Sequence, residues 1–371
     1  MTTPLHALNA AGQSIWLDYI DRTMLHDGEL ERRIRDEALT GQTSNPTIFE
    51  KALAQGTAYD AQIQSAAAVT NAWAMFELVE TDDVRRACDL FRPVYERTKG
   101  IDGYVSIEVS PGAAHDASAT VEEAHRLWTS VDRPNVMIKV PGTAEGAVAL
   151  RRLIADGINV NVTLLFAVEA HARVIEAYLS GLEDRVAAGG AVDRVASVAS
   201  FFVSRVDSEI DKRLEAIGTP DALSLRGHAA VANAVLAYAL FLEQFAGPRW
   251  AALASRGAQV QRPLWASTGT KNPAYSDVKY VETLIGPNTV NTLPPATLDA
   301  FRDHGTVART VDADIDGARR ALGAIGAQGI SLSEVTDKLL AEGLASFQKS
   351  FDTLIAGLAG KAAALGRPFT T

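Results

Sequence analysis

The stretch NVMIKVPGT, residues 135–143, sets a charged Lys139 among Val136, Met137, Ile138 and Val140. A β-rich run this short, bounded by Pro134 and by Pro141 and Gly142, reads as a strand buried on both faces. Lysine is seldom fully buried, and two readings of Lys139 stay open from this stretch alone. Its aliphatic stem can lie along the strand while the ammonium reaches water at the strand end. Alternatively, the apolar strand desolvates the amine for chemistry. A lysine near its usual pKa of about 10.4 is a free amine only about once in a few thousand molecules at neutral pH, so a nucleophilic lysine needs such help.

Working outward, seven further β-like runs flank this one: SIWLDYI from 14, LTGQTSN from 39, YVSIEVS from 104, INVNVTLLF from 158, VASVASFF from 195, PLWAST from 263 and NTVNTL from 288. Between them lie segments such as TVEEAHRLWTSV and AEGAVALRRLIADG, with apolar residues three and four apart and charges on the other face, which predicts helices. Strands alternating with helices imply a parallel sheet, and eight strands imply a closed α/β (β/α)8 barrel, here a single domain over 1–371. Two long connections, 46–103 and 203–262, each read as two or three helices added to the barrel. The tail, 331–366, reads as one or two helices packed outside it.

The 371 residues carry 35 Lys and Arg against 45 Asp and Glu, a formal net charge of -10. That balance gives no electrostatic support for a nucleic-acid or anionic-membrane partner, and an anionic substrate would need a local cationic pocket. A lone Cys88 allows no internal disulfide and suits a reducing compartment, and the N-terminus lacks the order of a secretory signal, so a cytoplasmic protein is expected. The longest apolar stretch, AAVANAVLAYALFL at 229–242, is too short to span a bilayer, carries Asn233, and reads as a buried core helix. No sequence feature decides between a monomer and a homodimer.

In a barrel of this kind, chemistry sits at the C-terminal ends of the strands. Those ends carry Asp18, Asn45, Glu108, Lys139, Asn161 with Thr163, Ser200 and Ser267. One buried hydroxyl or amide usually just satisfies a backbone group, but polar side chains on seven of eight strands converging on one mouth are hard to explain as packing.

With TSNPTIF, MIKVPGT, INVNVTLLF and VASFFVSRVD in this order, the chain resembles the transaldolase family, in its longer bacterial branch, from about Ser14 to Pro294. The resemblance implies a Schiff-base transferase of the pentose phosphate pathway acting on sugar phosphates, with no metal and no cofactor. It implies that Lys139 forms the imine and that Asp18 takes the C4 hydroxyl proton as the C3–C4 bond breaks. Glu108 and Thr163 would hold a proton-shuttling water, Asn45, Asn161 and Ser200 would bind the dihydroxyacetone unit, and Arg205 and Ser267 the phosphate. Phe202 ends the sixth strand where aldolase relatives carry a tyrosine that helps hydrolyse the enamine, which favours transfer over release. Many members place a second arginine soon after the serine ending strand seven. Here the stretch reads WASTGTKNPAYSD, and Lys271 is the nearest cation; a lysine binds phosphate as a point charge, without the arginine fork.

Other chemistries lack their residues. DADIDG, 312–317, opens like a calcium loop, but its twelfth position is Gly323 where a bidentate Glu is needed. The seven histidines show no paired metal-ligand spacing, and no G-x-G-x-x-G or Walker loop follows a strand. Two other readings stay open: a fructose-6-phosphate aldolase releasing free dihydroxyacetone, and a barrel that binds sugar phosphates without catalysis.

Overall fold

The computed structural model describes residues 3–54 and 56–369. Eight parallel strands run β1 Gln13–Asp18, β2 Gly41–Thr43, β3 Val105–Glu108, β4 Val136–Pro141, β5 Val160–Leu165, β6 Ser197–Phe202, β7 Arg262–Ala266 and β8 Thr289–Leu293. Each pairs with the next, and β8 closes onto β1 with Gln13 opposite Thr289 and Leu17 opposite Leu293. The (β/α)8 expectation is met strand for strand.

Because side chains alternate across a strand, the two faces carry different residues. Val136, Ile138 and Val140 of β4 join the large apolar layer between the sheet and the outer helices. Met137 points the other way, into the barrel, beside Trp16, Tyr104, Val198, Leu264 and Val290. This inner cluster fills the lower half of the barrel. Gly41 of β2 belongs to it by necessity, since a Cβ there would lie 2.5 Å from the Trp16 indole. Below, the Trp16 indole N–H donates to Asp102 at 2.8 Å, and Arg262 donates to Ser14 Oγ at 2.6 Å and to the Ile101 carbonyl at 2.8 Å. An interior sealed at that end leaves the opposite mouth for polar work.

The long connections are helical, with one correction. Residues 46–103 hold three helices, Pro46–Ala54, Asp60–Ser65 and Ala72–Arg97, but 203–262 hold four rather than two or three: Ser204–Ile217, Pro220–Ser224, Ala229–Gln244 and Gly247–Ala254. The extra one is a single turn, capped where the Thr219 hydroxyl accepts from the Ala222 N–H. The tail is one helix, Leu332–Ala364, within the one or two expected. Outside the barrel it runs along the rim, against Pro46–Ala54, Ala72–Arg97, Ser204–Ile217 and β5.

No single helix among the described residues is long and apolar enough to cross a membrane. Ala229–Gln244 and Gly247–Ala254 meet that test only as a pair bent by 72°. The first of them packs on the barrel, its Asn233 amide donating to the Phe166 carbonyl at 2.7 Å.

Candidate active site

Lys139 is 7 % exposed and projects into the barrel, on the face of β4 that it shares with Met137 and opposite Val136, Ile138 and Val140. Three of its four apolar neighbours, Val136, Ile138 and Val140, therefore pack against helices, and the amine meets polar partners instead. Nζ donates to Glu108 Oε2 at 2.9 Å and to the Ser44 carbonyl at 3.0 Å. The register explains the ion pair, since Glu108 on β3 stands directly beside Lys139 on β4, and Asn161 on β5 stands directly on its other side.

Each neighbour is tied down in turn. Asn161 donates its amide to Ser106 Oγ at 3.0 Å and accepts from Ser200 Oγ at 2.6 Å, which fixes both the orientation of the amide and the rotamer of Ser200. Across the mouth, Asp18 ends β1 and accepts from Thr43 Oγ1 at 2.8 Å, and Thr43 shares a second hydrogen bond of 2.7 Å with Thr292 on β8. Burial pushes both carboxyls above their usual range, with the Lys139 charge pulling the other way in each case. Asp18 is further held down by the Thr43 hydroxyl and by the charge of Lys271. Two carboxyls near one lysine, each held by different partners, have the makings of separate proton-transfer roles.

Thr163 is buried at the end of β5 one layer above Asn161, where the chain bulges and Leu164 takes a left-handed φ of 61°. Asn45 follows β2 and precedes the next helix, its Oδ1 accepting from the Ile48 N–H at 3.1 Å. Strained backbone of this kind clusters at functional sites. A second instance, Ser267 at φ 55°, follows β7, and its hydroxyl lies 3.0 Å from that of Ser204, the first residue of helix Ser204–Ile217. Arg205 is the next residue of that helix, with its guanidinium 5.4 Å from the centre of the Phe202 ring, and Phe202 in turn stands 5.2 Å from Phe166. Arg205 forms no ion pair among the described residues, and burial lowers its pKa. A helix N-terminus, two hydroxyls and a half-buried, unpaired guanidinium together suit an anion.

Lys271 stands on the loop after β7. It is exposed and lines a cleft with Lys212 and three carboxylates, Asp207, Asp211 and Glu215, while its charge still reaches Asp18. Ser44, Thr43, Ser106 and Thr292 are site residues that sequence reasoning missed. Thr43, Ser106 and Thr292 had a signal, because they share the inward parity of Lys139 along their strands. The Ser44 carbonyl had none.

A family model described as transaldolase/fructose-6-phosphate aldolase matches residues 15–358. The chain is 50% identical over 366 residues to the transaldolase of Thermobifida fusca (strain YX), spanning 98% of this chain and 100% of that one. It is 50% identical over 359 residues to that of Mycolicibacterium smegmatis, spanning 96% and 97%. To that of Frankia alni it is 46% identical over 372 residues, spanning 100% of both.

Proposed function

This chain belongs to the transaldolase/fructose-6-phosphate aldolase family, and on that premise we propose that it is a transaldolase of the pentose phosphate pathway. It moves a dihydroxyacetone unit from sedoheptulose 7-phosphate to glyceraldehyde 3-phosphate, giving erythrose 4-phosphate and fructose 6-phosphate. The observation that carries this reading is the buried Lys139–Glu108 pair at 2.9 Å, with Asp18 on a separate strand of the same mouth.

Glu108 takes a proton from Lys139, whose amine adds to the C2 carbonyl of the ketose. The proton then returns, through a water held with Thr163, to the leaving hydroxyl of the carbinolamine, so that water departs and a protonated imine remains. Asp18 accepts the C4 hydroxyl proton as the C3–C4 bond breaks, the bonding electrons pass into the imine, and an aldose leaves behind a neutral enamine. Addition of the enamine to the acceptor aldehyde reverses these steps. Asn45, Asn161 and Ser200 hold the three-carbon unit, and Arg205 with Ser267 holds the phosphate. The apolar ring of Phe202 supports transfer over release, since it offers no proton donor for hydrolysing the enamine.

Borohydride reduction in the presence of fructose 6-phosphate tests the assignment. We expect a dihydroxyacetone-derived adduct on Lys139 alone, and a folded but inactive Lys139→Arg. An adduct on another lysine would refute the central role of Lys139. Binding without any adduct would leave a binding barrel, and steady release of free dihydroxyacetone without an acceptor, at a rate comparable to transfer, would make this an aldolase.

A further inference from the structure

A narrow cleft of about 230 Å³ opens beside Glu108, lined by four glutamates, Glu77, Glu80, Glu108 and Glu123, and by the rings of Trp73 and Phe351. Its unfilled interior holds roughly one water molecule. Two cations serve these four carboxyls. Lys139 pairs with Glu108, while Arg126 pairs with Glu77 and reaches Glu123 at 3.4 Å. Glu123 also accepts from Ser110 Oγ at 2.7 Å. Glu80, in the middle of helix Ala72–Arg97 and 4 % exposed, has no hydrogen bond and no ion pair among the described residues. The rim helix Leu332–Ala364 brings only the uncharged Phe351 to this cleft.

A buried carboxylate with no cation and three acidic neighbours is strongly disfavoured. Burial first, then Glu108, Glu123 and Glu77, push the Glu80 carboxyl well above its usual range, and only Lys139 pulls it down. Glu80 is thereby biased towards its neutral form, in which its carboxyl can donate a hydrogen bond into the cleft.

We propose that Glu80 is a positioning residue, a neutral carboxylic acid that shares its proton with Glu108 through the cleft and so holds the Glu108 carboxylate in place when Lys139 loses its charge. This rests on the Schiff-base reading above. In the resting state Glu108 has the Lys139 ammonium as counterion, and the protonated imine serves equally well. In the enamine the nitrogen is neutral, and Glu108 is left buried without a cation. A proton shared between two carboxyls, as O–H···O⁻, replaces the lost partner with no net gain or loss of protons, and the pair titrates as a unit. Glu80 touches no substrate in this scheme.

The test uses Glu80→Gln, which keeps shape and donor but cannot ionise or give up a proton, with Glu80→Leu alongside it. Three readouts are taken: borohydride trapping on Lys139, the infrared C=O stretch of a protonated carboxyl in the free enzyme at neutral pH, and the pH profiles of kcat and KM for transfer. We expect the adduct to be retained and the protonated-carboxyl band of the wild type to vanish in Glu80→Gln. KM should stay within about twofold while kcat falls about tenfold, with the alkaline limb of kcat moved up by roughly half a pH unit or more. Glu80→Leu should lose more of kcat than Glu80→Gln. A band that persists in Glu80→Gln overturns the proposal, as does a Glu80→Gln profile that overlays the wild type even if melting temperature drops. An adduct on Lys139 combined with either result sinks Glu80 alone. No adduct on Lys139 in the wild type sinks the Schiff-base reading and this proposal with it.

Discussion

Arg205 and Lys271 are the two cations the sequence offers to a phosphate, and their surroundings rank them. Arg205 is half-buried, stacked over Phe202 and free of ion pairs among the described residues, while Lys271 is solvated among carboxylates. A charge-assisted hydrogen bond to phosphate is worth roughly 1.5 to 3 kcal/mol, so Arg205→Ala should raise KM for phosphorylated sugars about tenfold to a hundredfold. Lys271→Ala should do far less. Initial rates with fructose 6-phosphate and with fructose decide it, since equal losses on both would remove the phosphate from Arg205. At this scale the sequence was legible wherever a polar side chain interrupts an apolar strand, as Asp18, Glu108 and Lys139 do. It was opaque at the Ser44 carbonyl, because a backbone acceptor leaves no trace in residue identity. It was opaque at Glu80 too. Among the acidic residues of MFELVETDDV that glutamate looks like part of a solvated helix face, and only the burial of the helix shows otherwise.

Among the elements, helix Val168–Ala187 carries a cost of its own. Its His171 is fully buried, 6.0 Å from the Phe201 ring of β6, and neither ring nitrogen has a hydrogen-bond partner. Burial lowers its pKa from 6.5 to about 4. The unfolded chain thus takes up a proton that the folded chain refuses, so stability is intact above about pH 6.5 and is lost as pH falls towards 4. The full loss is about 3 kcal/mol by linkage. His171→Phe should remove this dependence. Melting temperatures followed from pH 7.5 to 4.5 should converge on, or cross, those of the wild type as the medium is acidified, and parallel curves would show that His171 does not carry the effect. The strands were readable as short β-rich runs between helical patterns. The single turn Pro220–Ser224 was not, although Thr219 followed by Pro220 is a capping signal; one turn is too short for periodicity to register.

For the whole molecule, the rim helix Leu332–Ala364 works as a tie. Phe351 packs on Trp73 and Phe76 at ring-centre distances of 4.9 and 5.8 Å. Lys361 donates to the carbonyls of Leu53 and Gly56 at 3.1 and 2.8 Å and pairs with Asp60, and Arg367 beyond it donates to the carbonyls of Ile63 and Val69. The far end of the chain thereby fixes the two short helices that follow Asn45 and Ser44, the latter being the carbonyl that receives Lys139. Arg367→Ala should raise amide exchange across 46–66 and leave β4 and β5 protected, with KM for the donor ketose rising severalfold. Mass-spectrometric hydrogen exchange measures it, and unchanged exchange in 46–66 would show that the tie bears no load. None of this was readable beforehand, since a helical pattern does not reveal which neighbour it will meet.

The ladder that joins β8 to β1 also has a kinetic meaning on the ribosome. Residues 13–18 are made long before their partners, residues 289–293, and the Gln13 amide finds its acceptors, the Leu284 carbonyl and Thr289 Oγ1, equally late. At roughly 5–20 residues per second the first strand waits tens of seconds with one edge unpaired. During synthesis the nascent sheet is therefore open at both sides, one edge always β1 and the other whichever strand was made last. Exposed apolar edges of this kind are templates for pairing with other chains. Chaperone demand should thus peak late in translation and end abruptly when VNTL docks, rather than decline as each βα unit is added.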